Sequence, residues 1–518
     1  MRHRDLAWLP VVTLAAGLTA GGASEVAGQR ASLGEEEPRA GIQQHVQQMN
    51  MRLVGLNDLQ ARSAYQPIIH QHPDGRWIAY IGHHGGAAFN PLTGVEERNG
   101  TSIVDVTDPS HPLYLEHIPG PAGVGEQGGA QMVRACKGSE LPNADDAKVY
   151  LLRATATAHE VWDVTDPARP GLVKTVIGNL GATHKNWWEC DTGIAYLVSD
   201  GRRLDLAVSD RRFLADENWR TNRMTQIYDL SNPASPVFIR NYGLVGQQPG
   251  STGDPVPTGV HGGISLGPAD NRVYFGHGTG ANGIFQIVDR QKLLTGAFHP
   301  TKPTQAELLA PQIGRLDTAP SGGAHTVFPV LEQPVPEFAK DAHGRARDFV
   351  VLVNESVANR CLEPRQLVYL VDVTRKPEPP QLPPTESKPM VVANFQVPEA
   401  SGNFCDRGGR FGAHASNESF TPTFYGKLVF VSWFNAGVRA IDIREPYSPR
   451  EVGFFIPATT ANTEERCAMI GGREVCQFAI QTNNVEVDPR GFIYIVDRAN
   501  TGLHILELTG EAREIIAE

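Results

Sequence analysis

Short runs of β-branched and aromatic residues, each ended by aspartate and proline, recur along the chain. The clearest copies are residues 103–109, 161–167 and 227–233, which read IVDVTDP, VWDVTDP and IYDLSNP. Weaker copies centre on Asp289, Asp372, Asp442 and Glu507. In each copy an apolar strand meets an Asp or Asn side chain that can bond its own backbone, followed in the stronger copies by a proline that fixes φ. The pattern predicts seven strands that end in tight turns.

Two more elements precede each aspartate phrase: an apolar strand, and before it a strand that begins near a polar residue. The predicted order within a repeat is therefore a polar inner strand, an apolar strand, the aspartate strand and an outer strand. Such a repeat cannot bury its faces alone, so neighbouring repeats must stack. We predict an all-β fold, a seven-bladed β-propeller of four-stranded antiparallel blades. A linear β-solenoid is the alternative, but its repeats are far shorter.

The ends of the chain suggest how the ring closes and where the protein resides. The last repeat lacks an outer strand, and residues 51–56 (MRLVGL) are predicted to supply it as an N-terminal strand that completes the last blade. A basic start and the apolar stretch 6–18 predict a signal peptide over 1–23, because that stretch is too short to span a bilayer. The predicted divisions are a polar leader over 24–48, the propeller over 49–510 and a C-terminal tail over 511–518. We expect a soluble monomer without a membrane span, secreted or periplasmic after signal-peptide removal.

The cysteine content and the net charge of the chain indicate disulfide bonds and argue against one class of partner. Six cysteines in an exported chain predict disulfides, with free buried thiols as the alternative. The position of each cysteine within its repeat predicts the pairs Cys136–Cys190, Cys361–Cys405 and Cys467–Cys476. The net charge of −11 argues against a nucleic-acid partner, since binding phosphates requires clustered Lys and Arg.

Histidines recur at the start of the innermost predicted strands. They follow glycine by two or three residues at His184, His261, His325 and His414, and the matching positions in the other repeats are His70, Gln131 and Asn484. Innermost strands surround the channel, so these side chains are predicted to form a ring at its mouth. Neutral imidazole is a strong ligand for Zn, Fe, Cu or Mn. We predict a divalent transition-metal site formed by His184, His261, His325 and His414, with His70 as a further candidate. The alternative is that each imidazole only bonds nearby backbone.

Loops after the second strands open on the same face and bring acid–base groups to the channel mouth. The candidate catalytic residues there are His83, His84, His277, Glu355, Arg202, Asp497 and Arg498. A polar rim of this kind suits a small-molecule or saccharide ligand. Taken singly, each could also be an ordinary solvated loop residue.

The aspartate phrases resemble those of the LVIVD-repeat proteins, which are exported or surface-associated bacterial β-propellers. The resemblance spans most of residues 50–510, and the copies at Asp289 and Glu507 depart from the pattern. It implies the architecture and says little about activity, because fold does not determine function. Two functions remain open. One is a metal-dependent lyase, hydrolase or oxygenase, and the other is a non-catalytic propeller that binds a protein, glycan or cell surface.

Overall fold

The computed structural model describes residues 45–200, 219–335, 346–364, 366–376, 384–397 and 403–517. The predicted signal peptide, most of the predicted leader and Arg202 lie outside these residues.

In the part of the chain that the structure describes, five four-stranded antiparallel sheets and one eight-stranded sheet follow one another. We divide the eight-stranded sheet into two parts and number the resulting units sheet 1 to sheet 7. Two strands come before them: β1 (Gln47–Met49) and β2 (Met51–Asn57). Sheet 1 contains β3 (Ala64–Gln71), β4 (Trp77–Gly85), the inserted hairpin β5 (Ala87–Asn90) and β6 (Val95–Arg98), β7 (Gly100–Asp105) and β8 (Leu113–Pro119). Sheet 2 contains β9 (Gly125–Lys137), β10 (Val149–Thr155), β11 (Ala158–Asp163) and β12 (Gly171–Ile177).

The next three sheets repeat this plan. Sheet 3 contains β13 (Thr183–Trp188), β14 (Ile194–Ser199), β15 (Met224–Asp229) and β16 (Val237–Tyr242). Sheet 4 contains β17 (Val260–Ser265), β18 (Arg272–His277), β19 (Ile284–Asp289) and, after the helices α1 (Arg290–Thr295) and α2 (Gln305–Leu309), β20 (Gln312–Asp317). Sheet 5 contains β21 (Thr326–Gln333), β22 (Arg347–Val353), β23 (Val368–Asp372) and β24 (Met390–Phe395).

The last two sheets depart from the plan and take strands from the N-terminus. Sheet 6 contains β25 (Leu428–Ser432), β26 (Val438–Asp442) and β27 (Arg450–Ile456). After the hairpin β28 (Glu465–Ile470) and β29 (Arg473–Phe478), sheet 7 contains β30 (Thr482–Val487), β31 (Phe492–Asp497) and β32 (Leu503–Leu508), and α3 (Gly510–Ala517) ends the described chain. Strand β1 adds to the outer edge of β27, and β2 pairs with β32 as the fourth strand of sheet 7.

Strand order within the sheets confirms the sequence prediction. Each chain neighbour pairs antiparallel, and the aspartate phrase forms the third strand. Sheets 1 and 2 also join each other through β4 and β9. In sheet 6 the inner segment forms isolated bridges instead of a regular strand, for example between Ser416 and Val431.

The aspartate that recurs at the end of the third strands has a local structural role. The carboxylate that ends the third strand accepts a hydrogen bond from the backbone N–H two residues later, at 2.9 Å for Asp105, 3.0 Å for Asp163 and 2.8 Å for Asp229. The same bond recurs at Asp372 (2.9 Å) and Asp442 (3.0 Å). These Asx turns end the strand and direct the chain outward to the fourth strand.

Hydrophobic clusters lie between neighbouring sheets. Phe430 of β25 and Ile495 of β31 share one fully buried cluster, and Tyr80 of β4 and Leu151 of β10 share another. Alternate residues of each strand therefore face the next sheet, as expected when sheets stack on both faces.

All three predicted disulfides are confirmed, and no cysteine is left free. The Cα–Cα distances are 5.5 Å for Cys136–Cys190, 5.4 Å for Cys361–Cys405 and 4.0 Å for Cys467–Cys476. The first pair links sheet 2 to the end of the inner strand of sheet 3. Among the described residues, none of the helices has the length and apolar character needed to cross a membrane.

Candidate metal centre

Four imidazole rings meet where the innermost segments of sheets 3 to 6 begin. The ring centroids are 4.4 Å apart for His184 and His261, 3.7 Å for His261 and His325, and 4.3 Å for His325 and His414. Each of the four residues is at most 4% exposed. The structure therefore brings together the four residues that the sequence singled out, and we call them the histidine cluster.

Backbone carbonyls fix which nitrogen of two rings carries the proton. Nδ1 of His261 lies 2.8 Å from the carbonyl oxygen of His325, and Nδ1 of His414 lies 2.5 Å from that of Asn483. A carbonyl oxygen only accepts, so each Nδ1 must be the donor. In the neutral ring Nε2 then carries a free lone pair. A metal-binding histidine is oriented in the same way by a second partner.

The remaining nitrogens of the cluster face one another. Nε2 of His184 lies 2.6 Å from Nε2 of His261 and 3.2 Å from the Tyr65 hydroxyl. Nε2 of His325 is buried and has no hydrogen-bond partner in the described part of the chain. Ligand atoms bound about 2.1 Å from one ion lie roughly 3 to 4 Å apart. The distance between Nε2 of His184 and Nε2 of His261 is shorter than this range, and His261 and His325 offer ligand atoms within 4.8 Å of each other.

Burial keeps all four rings in the form that binds metal. It lowers the pKa of His184, His261, His325 and His414 well below the usual range, and nearby positive groups lower it further. The rings are therefore neutral at pH 7, as a metal ligand must be.

His70 does not join the cluster, and Tyr65 occupies the matching position of sheet 1. His70 pairs with Ile78 near the far end of β3, five residues beyond Tyr65, or about 16 Å along an extended strand. Its ring lies 5.8 Å from that of His72. The Tyr65 ring packs edge-on against His184 at 5.6 Å. In sheet 7 the corresponding residue is likewise Asn483, one position before the expected Asn484, and the amide of Asn483 reaches the Tyr65 carbonyl at 3.2 Å.

Glu355, one of the rim residues predicted from the sequence, lies beside the cluster. Its carboxylate oxygens lie 4.0 Å from Nε2 of His325 and 3.8 Å from Nε2 of His414. Together with His261 and His325, it offers three ligand atoms within 4.8 Å of one another. Burial raises the pKa of Glu355, and the charge of Arg410, which donates a hydrogen bond at 3.0 Å, opposes that rise.

Glu126 provides a second carboxylate, from the start of β9. It lies 3.4 Å from Nε2 of His84, 3.9 Å from Nδ1 of His184 and 3.5 Å from the Arg498 guanidinium. Its side chain is 45% exposed, so this is the side on which the cluster meets solvent. Partial burial raises the pKa of Glu126, but the nearby ring of His84 and the charge of Arg498 outweigh this effect and hold the pKa well below its usual range.

The predicted rim residues divide into two groups. His84, Glu355 and Arg498 border the cluster through the contacts just described. His83 instead bonds the Ser63 carbonyl at 3.2 Å and the Ser102 hydroxyl at 2.7 Å, which occupies both of its nitrogens.

The other two described rim candidates, His277 and Asp497, have different surroundings. His277, at the end of β18, lies with its ring 6.3 Å from that of Phe275. Asp497 accepts hydrogen bonds from the backbone of Gln481 at 2.5 Å and Ala499 at 2.6 Å, and burial raises its pKa to about 6. These contacts hold the turn from which Arg498 extends.

A separate group of buried charges lies next to the cluster. Nζ of Lys185 is 2.6 Å from Glu418, which also bonds Arg134. The Glu486 carboxylate accepts from the backbone N–H of Glu418 at 3.3 Å and of Ser419 at 3.1 Å, and burial raises its pKa to about 7. Although burial opposes ionisation of Glu418, the charges of Lys185 and Arg134 lower its pKa to about 2.

One other group of potential ligands occurs among the described residues. It consists of Cys467, Glu474 and Cys476. The two sulfurs form a disulfide, so no thiolate is available to bind an ion there.

Comparison with known proteins identifies the repeat. The family model of the LVIVD repeat matches residues 95–117 and 222–243, which confirms the resemblance seen in the aspartate phrases. No curated protein sequence matches the chain significantly.

Solved structures similar to the chain include two with low sequence identity to it. The β-propeller domain of Cps50 (Swd1) from Myceliophteria thermophila is 10% identical, with a TM-score of 0.43, over 85% of this chain and 98% of that one. A hypothetical selenium-binding protein from Sulfolobus tokodaii is 13% identical, with a TM-score of 0.44, over 83% of this chain and 91% of that one.

Proposed function

We propose, on the premise that this chain is an LVIVD-repeat β-propeller protein, that its histidine cluster binds one divalent transition-metal ion. The ligands are Nε2 atoms of His184, His261, His325 and His414. His70 is excluded from this set by its position on β3.

A closed ring of seven blades is the architecture that we propose around this site. Inner strands of successive sheets contact one another, β3 with β9, β9 with β13, β13 with β17 and β17 with β21, and β30 contacts β3. The bond from Asn483 to the Tyr65 carbonyl joins the last sheet to the first. Pairing of β2 with β32 supports closure by the N-terminal strand.

One observation carries the metal proposal: neutral imidazoles from successive sheets converge, and two of them have an unprotonated Nε2. Carbonyl acceptors fix this tautomer for His261 and His414. Without an ion, the buried Nε2 of His325 has no partner among the described residues, which costs free energy. Imidazole nitrogens suit Zn, Fe, Cu or Mn, and we leave the choice among them to experiment.

The site suits chemistry on a small molecule or saccharide. A bound ion would act as a Lewis acid toward a substrate oxygen. Glu126 is partly exposed and lies 3.4 Å from Nε2 of His84, so it borders the side on which a ligand enters. Glu355, held by Arg410, positions the rings of His325 and His414. A metal-dependent lyase, hydrolase or oxygenase fits these groups.

We also propose export, secreted or periplasmic, as a monomer without nucleic-acid partners. Three disulfides support an oxidising compartment. The other candidate function, a non-catalytic propeller that binds a protein, glycan or cell surface, makes no use of the imidazole tautomers.

Metal analysis of untagged protein tests the proposal. Plasma mass spectrometry of protein purified without a polyhistidine tag or chelator should find about one equivalent of a transition metal per chain, retained through gel filtration. Protein stripped with a chelator should take up about one equivalent again. Less than about a tenth of an equivalent in both experiments would reject the metal site and favour the binding module.

A further inference from the structure

Three arginines border the histidine cluster on its solvent side. Arg410 precedes β25, Arg466 lies on β28 and Arg498 follows β31. They are close to one another, since Nη2 of Arg466 donates to the Arg498 carbonyl at 2.8 Å. Arg498 is also an electrostatic neighbour of His84 and His414.

Arg498 is incompletely bonded although it is nearly buried. Its side chain is 10% exposed, Nη2 lies 3.5 Å from Glu126, and Nη1 has no hydrogen-bond partner among the described residues. Burial and the charges of Arg410 and Arg466 lower the pKa of Arg498 to about 10, so the group remains a cation at neutral pH. A guanidinium has five donors, and leaving them unmet in a buried place is costly.

The carboxylates near Arg498 pair with the three arginines, so they do not neutralise the charge of a bound metal ion. Glu355 pairs with Arg410 at 3.0 Å, Glu464 with Arg466 at 3.0 Å, and Glu126 makes the longer contact with Arg498. Each guanidinium thus has one carboxylate. The charge of a bound divalent ion would remain uncompensated, and an anionic ligand would balance it.

We infer that the site takes a small molecule that bears a carboxylate group, and that Arg498 binds this carboxylate beside the metal. This inference rests on the proposed function and names its substrate class. The planar guanidinium fork matches a carboxylate with two parallel hydrogen bonds, which a lysine cannot reproduce. Glu126 lies beside Arg498 and is the exposed member of the group, so it marks the side of the cluster that is open to solvent.

Acetate and its neutral isostere acetamide are the probes for this inference. In calorimetric titrations of zinc-loaded protein at low ionic strength, acetate should bind saturably and acetamide should not. Arg498→Gln should weaken acetate binding about ten- to a hundredfold, as expected for loss of charged hydrogen bonds, with an unchanged metal content. Arg498→Lys should restore only part of the affinity, because it keeps the charge without the fork.

A matched control is Arg315→Gln, which removes a guanidinium that pairs with Asp317 on the exposed strand β20 and should leave acetate binding unchanged. Equal binding of acetate and acetamide, or wild-type acetate affinity in folded Arg498→Gln protein, would overturn the inference. The two proposals fail separately. Normal metal uptake without acetate binding rejects only the substrate class, whereas acetate binding that depends on Arg498 in a protein unable to hold metal rejects only the metal site.

Discussion

The double variant His261→Ala/His325→Ala is expected to lose its bound metal, from about one equivalent to below a tenth. The two rings stack at 3.7 Å and supply two of the four Nε2 atoms. Removing His261 also takes away the atom 2.6 Å from Nε2 of His184. Two remaining imidazoles are too few for a stable site, since protein metal sites generally use three or more protein ligands. The measurement is metal content after gel filtration.

A matched control removes two imidazoles outside the cluster. His111 and His299 are exposed, so His111→Ala/His299→Ala should keep the wild-type metal content. A second pair, His261→Gln/His325→Gln, retains volume in case the alanine variant fails to fold, and circular dichroism checks each protein. Wild-type metal content in the folded cluster variants would mean that the ion, if one is bound, is held elsewhere.

Acidity is expected to affect stability through Glu486. Burial raises its pKa from 4.5 to about 7, so the folded protein keeps this proton at pH values where the unfolded chain has released it. The free energy of unfolding should therefore fall as the pH rises from about 4.5 to 7, by about 3 kcal/mol from this group, and change no further above pH 7. Glu486→Gln cannot ionise and should lack this part of the decline.

Denaturant unfolding of the wild type and Glu486→Gln at several pH values makes the comparison. The variant should be about as stable as the wild type near pH 4.5 and more stable above pH 7. Glu474→Gln, on the exposed hairpin strand β29, is the control and should give a curve parallel to the wild type. If the unfolding free energy of Glu486→Gln also changes with pH in parallel with that of the wild type, this carboxyl group is not the cause of the pH dependence.

Much of the fold could be predicted because its signals are local. An aspartate that bonds the N–H two residues later ends a strand whatever lies around it, and such an aspartate is the last residue of the third strand in five of the seven sheets. The disulfides followed from the same repeat, since Cys136 and Cys190 occupy equivalent places in neighbouring sheets.

The residues that face the histidine cluster are determined by the register of the inner strands, which cannot be read from the sequence. In sheet 1 the register shifts between Ala64 and Pro67, immediately after the inward position. Similar shifts follow Thr183 in sheet 3 and Thr482 in sheet 7. A β-bulge inserts a residue into one strand only, which accounts for the one-residue difference between Asn484 and Asn483 in sheet 7. On β3 the inward position holds Tyr65, so a match based on histidine chose His70, five residues too far along the strand.

Glu126 was missed for a related reason. It lies in a glycine-rich stretch, 123–129, with no motif that marks a functional carboxylate. Its place beside His84 and His184 arises because β9 begins early and pairs with the end of β4, joining sheets 1 and 2. Such pairing between strands of different repeats determines which charged loop residues come together. It cannot be predicted from the sequence of any single repeat.

Anomalous diffraction from crystals of untagged protein tests the central claim most directly. Data collected on both sides of the absorption edge of the metal identified in solution should give one strong difference peak. We expect this peak to lie about 2.0–2.3 Å from at least three Nε2 atoms of His184, His261, His325 and His414. A peak located away from these four rings, or metal-replete crystals with no peak among them, would contradict the proposed metal site.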